Sequence, residues 1–215
     1  RRRETIAHLQ ADGVWDMNRE LDFARPTLRI AVISSATAAG YRDFIEEISR
    51  CAYRFQITLF ESLMQGESGE MSVVDALDAI AEREEEFDVV AIIRGGGSTS
   101  DLALFDSYRI ASHIAQFPLP VVTGIGHDKD VSVSDMVAHT SCKTPTAVAT
   151  LFMELADEEL NYIATLTTEI KLIAERSLTN ESLRIVRYSG DITRYATEHL
   201  QNLSHRIEIL CRDIY

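Results

Sequence analysis

Two glycine-rich segments carry the residues of this chain best suited to chemistry. One is Arg94-Gly95-Gly96-Gly97-Ser98; the other is Gly124-Ile125-Gly126-His127-Asp128-Lys129-Asp130. Consecutive glycines let a backbone approach a ligand closely and adopt positive φ, and the amides of such a loop can form an anion nest. Arg94 adds a planar, permanently charged fork that suits a phosphate. Gly95, Gly96, Gly97 and Ser98 are therefore candidates to cradle that phosphate. A histidine side chain ionises near neutrality as a class, so His127 suits a general base or acid, and Asp130 can hold its tautomer and stabilise the cation. The bland readings are a tight turn with a surface Arg, and a loop His bonded to backbone.

Placement favours the chemical reading. Each segment follows a short apolar run that reads as a buried strand, 87–93 and 120–123. In an open parallel sheet, functional groups gather past the carboxyl ends of the strands, so the two loops should meet at one edge. Asp43, early in a helix after the first strand, would lie near the same edge; its other use is to favour the helix dipole. Asp101 can support the glycine loop or cap a short turn. Asp135 can cap a helix or point into the site. Thr144-Pro145 reads as a cap followed by Pro at a first helical position. The remaining histidines form no ligand spacing, and there is no HExxH, paired Cys or P-loop lysine. No metal centre is expected, although scattered Asp residues could bind Mg²⁺ loosely.

The positioning elements alternate. A lead-in over 1–25 holds a short helix ending near Gly13, and Pro26 marks a boundary. Strands follow at 28–33, 55–60, 87–93 and 120–123. Helices fall between them, from the small-residue turn ending at Gly40 to about Tyr53, over Ser72–Glu86, and at about 108–117. Four strand–helix alternations imply right-handed βαβ units. The expected fold is α/β: a small parallel sheet, Rossmann-like or flavodoxin-like, covered by helices over 26–145.

From about Thr146 the strand pattern stops. Leu151, Leu155, Ile163, Leu166, Ile170 and Ile173, then Leu200, Leu203, Ile207 and Leu210, follow a heptad-like spacing broken near Ser177–Glu181 and Ser189–Asp191. Residues 146–215 read as a helical, coiled-coil-like arm, either one long helix or a hairpin.

Composition bounds the classes. The chain has 215 residues, 46% hydrophobic and 26% charged, as in a globular protein. No apolar run reaches membrane-span length, and no signal peptide opens it. The first residue is not Met, which suggests a start inside a longer protein. Cys51, Cys142 and Cys211 are odd in number and widely spaced, which fits a reducing cytoplasm. A net charge of −13 argues against a broad nucleic-acid surface on this stretch.

The motifs, in order, resemble the catalytic region of the exonuclease VII large-subunit family. Gly13-Val14-Trp15-Asp16 resembles the linker before its first strand, and Ala31–Ser35 with Asp43 its opening strand and helix. Gln65-Gly66 is similar to its QG element. Arg94–Ser98 with Asp101, Leu102 and Phe105 matches RGGGSxxDLxxF. Gly126-His127, Asp130 and Asp135 match GHxxDxxxxD, and Thr144-Pro145-Thr146-Ala147 resembles TPxxA. The resemblance covers about 5–155.

It implies an exodeoxyribonuclease that cuts single-stranded DNA to short oligonucleotides without a required metal. It further implies an N-terminal OB-fold, absent from this stretch, and an arm that binds small subunits. Active-site candidates carried over are Asp43, Arg94, His127 and Asp130. The chain departs from the pattern at Asp106 and Tyr108, where Asn and Glu are common. Lys129 stands inside the GHxxD segment, and His139, Ser141 and Lys143 replace common Asp, Arg and Pro. The alternatives are a non-enzymatic phosphate- or nucleotide-binding module with a helical oligomerisation arm, and a scaffold whose arm is the working part.

Overall fold

The structure is a computed structural model that describes residues 2–66, 68–95, 99–125 and 131–212. It divides into two compact units, 1–160 and 161–215. In the first, α1 (Arg2–Ala11) precedes β1 (Arg29–Ser34), α2 (Ala39–Ile48), β2 (Gln56–Glu61) and α3 (Gly69–Ala81). Then come β3 (Val89–Ile93), a 3₁₀ segment (Thr99–Asp106), α4 (Tyr108–Ala115), β4 (Val121–Gly124), α5 (Val133–Val137) and β5 (Thr140–Ser141). A final helix, α6, runs from Pro145 to Arg212.

Among the described residues the sheet has five strands in the order β2-β1-β3-β4-β5, all parallel. This is the flavodoxin-like order, whose ligand crevice lies where β1 and β3 part company. The fifth strand corrects the expectation of four: two residues are too few to show an alternation. Two helices also differ from expectation. α2 stops at Ile48, where the Ser49 hydroxyl donates to the Glu46 carbonyl at 2.8 Å. α3 starts at Gly69 rather than Ser72, and the Ser72 hydroxyl instead accepts from Leu63 N–H at 3.0 Å. The acidic run beyond α3 is a 3₁₀ turn over Glu84–Glu86.

Successive strand side chains point to opposite faces, and the core divides accordingly. Ala31, Ile33, Val90, Ile92 and Val121 face Leu9 of α1, α3, α4 and α5. Ile30, Val32, Val89, Ala91, Ile93 and Val122 face Phe44 and Ile48 of α2 and Val148, Ala149 and Phe152 of α6. Phe44 and Phe152 meet edge to face at 6.3 Å. Both faces being covered explains why the central strands read as continuous apolar runs.

The lead-in is tied down by Asn18, which is fully buried. Its amide donates to the Phe117 and Leu119 carbonyls at 3.1 and 2.9 Å. Its oxygen accepts from Val121 N–H at 2.9 Å and His139 N–H at 3.0 Å. One side chain thus satisfies backbone groups leading into both β4 and β5.

The break between units falls inside α6, so its first sixteen residues belong to the sheet unit. Residues 161–212 are helical throughout, which settles the hairpin alternative against itself. Large apolar side chains are exposed along this unit. They recur every 22 residues: Ile163, Ile185 and Ile207; Leu166, Tyr188 and Leu210; Ile170 and Ile192; Ile173 and Tyr195. Its seven basic and seven acidic residues cancel, so the acidity of the chain resides in the sheet unit. No helix among the described residues is long and apolar enough to cross a membrane.

Candidate functional site

The carboxyl ends of β1 and β3 are held side by side. Ser34, the last residue of β1, is fully buried, and its hydroxyl donates to the Ile93 carbonyl at the end of β3 at 2.8 Å. Arg94 follows at once and is 8% exposed. Its backbone N–H donates to the Gly124 carbonyl at 3.2 Å. Gly124 ends β4 and leads into Ile125 and the His127 segment. The roots of the two glycine-rich loops are therefore hydrogen-bonded to one another at the edge where they were expected to meet.

Beside Arg94 lies the N-terminus of α2. Its N-cap residue, Ala38, offers no side-chain acceptor. The first-turn amides of a helix have no intrahelical partners and carry the positive end of the dipole, which makes such a terminus an anion site. Gly95 packs directly on this terminus: a Cβ there would lie 2.8 Å from the Gly40 nitrogen and 3.3 Å from the Ala39 nitrogen. Only a residue without a side chain lets the loop approach the helix start so closely.

A cavity of about 260 Å³ at the opposite sheet edge is lined by Asp22, Glu158 and Glu159 beside Arg25, which suits no anion. The cavity at the β1–β3 crevice, about 250 Å³, is lined by Ser35, Thr37, Ala38, Ala39, Leu63, Met64, Gln65, Arg94 and Gly95. Buried Arg94, Gly95 and a helix terminus without a side-chain cap line it together. Chemically, the arrangement can hold a phosphate group and balance charge that builds on its oxygens.

The candidates fall into four groups, Asp135 forming the last. Arg94 and Gly95 line the cavity together. Asp43 lies on the second turn of α2, is exposed, and is not among the described residues lining the cavity. Gly96, Gly97, Ser98, His127 and Asp130 lie outside the described residues, as does the Asp101 side chain, although the Asp101 backbone belongs to the 3₁₀ segment.

Asp135 is 4% exposed and engaged on several sides. Its carboxylate accepts from the Thr123 hydroxyl at 2.6 Å, the Ser132 hydroxyl at 2.7 Å and Ser132 N–H at 2.9 Å. This completes a capping box on α5. Asp106 caps the same helix from outside, accepting from Val133 N–H at 2.9 Å. Tyr108 donates its hydroxyl to Asp12 at 2.5 Å and stacks on His8. Thr144 caps α6 as expected, accepting from Ala147 N–H at 3.1 Å. Not legible as site residues in the sequence were Ser35, Thr37 and Leu63, which line the cavity, and Gly40, which packs on Gly95 beside it. The available signal was the small-residue run between β1 and α2, which closes on a glycine.

Among the described residues no group of three or more His, Cys, Asp or Glu side chains converges on a metal position. Cys142 is no nucleophile: burial, then Asp135 and Glu154, push its thiol up to about 11.

The family model described as exonuclease VII, large subunit, matches residues 14–214. The exodeoxyribonuclease 7 large subunit of Shouchella clausii (strain KSM-K16) is 35% identical over 173 residues, 80% of this chain and 37% of that protein. The protein of the same name from Shewanella sp. (strain ANA-3) is 32% identical over 177 residues, 82% of this chain and 39% of its own. That from Xanthomonas oryzae pv. oryzae (strain MAFF 311018) is 30% identical over 200 residues, 93% of this chain and 45% of its own. The chain spans about two fifths of the length of these relatives.

Proposed function

Since the chain belongs to the exonuclease VII large-subunit family, we propose that it carries the active site of an exodeoxyribonuclease that hydrolyses single-stranded DNA to short oligonucleotides. The observation that carries this reading is the phosphate cradle at the β1–β3 crevice: buried Arg94, Gly95 and the uncapped N-terminus of α2.

In the proposed reaction the scissile phosphate sits against Gly95, with Arg94 and the loop amides taking up the charge of the transition state. Water attacks phosphorus and the bond to one ester oxygen breaks. His127 removes the proton from water or delivers one to the leaving oxygen, steered by Asp130. Asp43 orients the water or a second group. No resident metal is given a step, and loosely bound Mg²⁺ would act only as an addition.

The strand itself must be held by more than this unit, because the sheet unit is strongly acidic and phosphate backbones demand basic contacts. The relatives exceed this chain in length, and the family resemblance supplies an OB-fold for that purpose. Small subunits would dock on the exposed apolar repeat of the arm. The reducing cytoplasm inferred from cysteine usage is the proposed compartment.

The test is hydrolysis of end-labelled single-stranded DNA by the full-length large subunit co-expressed with its small partner, with EDTA and then with Mg²⁺. Loss of general acid–base catalysis should slow His127→Ala by roughly 10²–10⁴-fold, and Arg94→Ala should lose a comparable factor. Phosphate binding without cleavage by the wild-type assembly would replace the nuclease by a phosphate-binding module.

A further inference from the structure

Leu63 stands apart from the other exposed apolar residues of the sheet unit. Single exposed leucines are ordinary and need no explanation. This one lines the same cavity as Arg94 and Gly95 and is 57% exposed. Its neighbours Ser62 and Met64 are buried, at 3% and 7%.

The backbone that presents it is fixed. Leu63 N–H donates to the Ser72 hydroxyl at 3.0 Å, and the Ser62 hydroxyl donates to the Ser72 carbonyl at 2.8 Å. Ser62 N–H donates to the Ser34 carbonyl at 2.9 Å, which ties the loop to the end of β1. On the other side Gly69 closes in: a Cβ there would lie 3.0 Å from the Leu63 carbonyl oxygen. An exposed side chain on an immobilised backbone, at the wall of an anion cavity, is placed for contact with a ligand.

The chemistry of that ligand follows from the lining. The anion end is Arg94, Gly95 and the α2 terminus. The cavity, at about 250 Å³, has room for more than a bare phosphate. In the same lining, Leu63 offers apolar surface and no hydrogen-bonding group. We propose that Leu63 packs against the base of the nucleotide whose phosphate sits at Gly95, giving a contact to an unpaired base that is indifferent to sequence. Unpaired bases are commonly held against apolar and aromatic side chains. A base engaged in this way has its face turned to protein, so the contact also favours a single strand over a duplex. The inference rests on the nucleotide-hydrolysing reading above.

The experiment has two arms, both on the full-length large subunit with its small partner. In the first, equilibrium binding of thymidine 5′-monophosphate is compared with that of 2-deoxyribose 5-phosphate. The wild type should prefer the nucleotide by about threefold to tenfold, Leu63→Ala should erase the preference, and Leu63→Phe should keep it. In the second arm, KM and kcat are measured on normal and abasic single strands. Leu63→Ala should raise KM on normal DNA by a similar factor, leave KM on abasic DNA unchanged, and leave kcat unchanged on both. Equal affinity for the two small ligands in the wild type overturns the proposal, as does an unchanged preference or KM in Leu63→Ala. A Leu63-dependent preference without any DNA cleavage would support the base contact while removing the nuclease reading.

Discussion

Gly40, in the first turn of α2, and Gly95, after β3, meet backbone to backbone. A Cβ on Gly40 would lie 2.7 Å from the Gly95 Cα and 2.8 Å from the Arg94 carbonyl oxygen. Neither contact is with a side chain that can rotate away. Gly40→Ala must therefore push the helix terminus and the Arg94 loop apart. Misplacement of about 1 Å can cost on the order of 10²-fold in rate. We expect kcat/KM on single-stranded DNA to fall at least about tenfold, with a stability loss of about 1–3 kcal/mol by urea unfolding. Full activity in Gly40→Ala would show that the close approach has no part in the site.

Asp135 holds Thr123 and Ser132, on either side of residues 126–130, to a single carboxylate. Asp135→Ala leaves buried donors on both without an acceptor. Each such donor costs about 1–3 kcal/mol, so the urea midpoint should drop clearly with the slope unchanged. Thr123→Val, which removes only one donor along with its need, should cost less. Equal losses would show that the bond from Thr123 accounts for the whole contribution of the carboxylate and that Ser132 does not need it.

Asp88 makes the sheet unit sensitive to acid. It accepts from Leu28 N–H at 2.9 Å and Arg29 N–H at 2.7 Å, and from the Arg29 side chain at 2.6 and 3.0 Å. Burial acts to raise its pKa, but the Arg29 guanidinium and the two amides outweigh it and hold the carboxyl below its ordinary value. Its stabilising contribution is complete above the unfolded pKa of about 3.9 and disappears as the pH falls through the lower folded value. Unfolding free energies measured from pH 7 down to pH 2 should show this loss, and Asp88→Asn should flatten it. An identical acid limb in the variant would assign the loss to other groups.

The three thiols should separate by reactivity. Cys211 is exposed, whereas Cys142 is half-buried with its thiol pushed up to about 11. At neutral pH, iodoacetamide should label Cys211 well before Cys142, as read by peptide mass spectrometry. Early labelling of Cys142 would mean that the β5–α6 junction opens in solution.

Long features of the fold were legible because their signal is redundant. The runs at β1 and β3 are apolar on both faces, and each is followed by the loop that the fold needs. Short or reciprocal features were not. β5 is two residues long. α3 begins at a glycine three residues before Ser72, where the pattern starts, and Ser72 bonds to Leu63. Asn18 looks like any loop asparagine until the Phe117, Leu119, Val121 and His139 backbones surround it. At the site, Arg94 and Gly95 were readable as a motif. The helix terminus they adjoin was not, because what marks it is a missing cap at Ala38 and a missing side chain at Gly40. The arm looks interrupted near Ser177–Glu181 against a seven-residue period, and regular against one of 22.

That period turns the arm into a ruler. An α-helix rises 1.5 Å per residue, so 22 residues mark off about 33 Å, and six turns bring the stripe back to nearly the same bearing. Ile163, Ile185 and Ile207 are successive graduations, each followed three residues on by Leu166, Tyr188 or Leu210. Duplicating or deleting one graduation changes the reach of the arm by a whole step while preserving the face it presents.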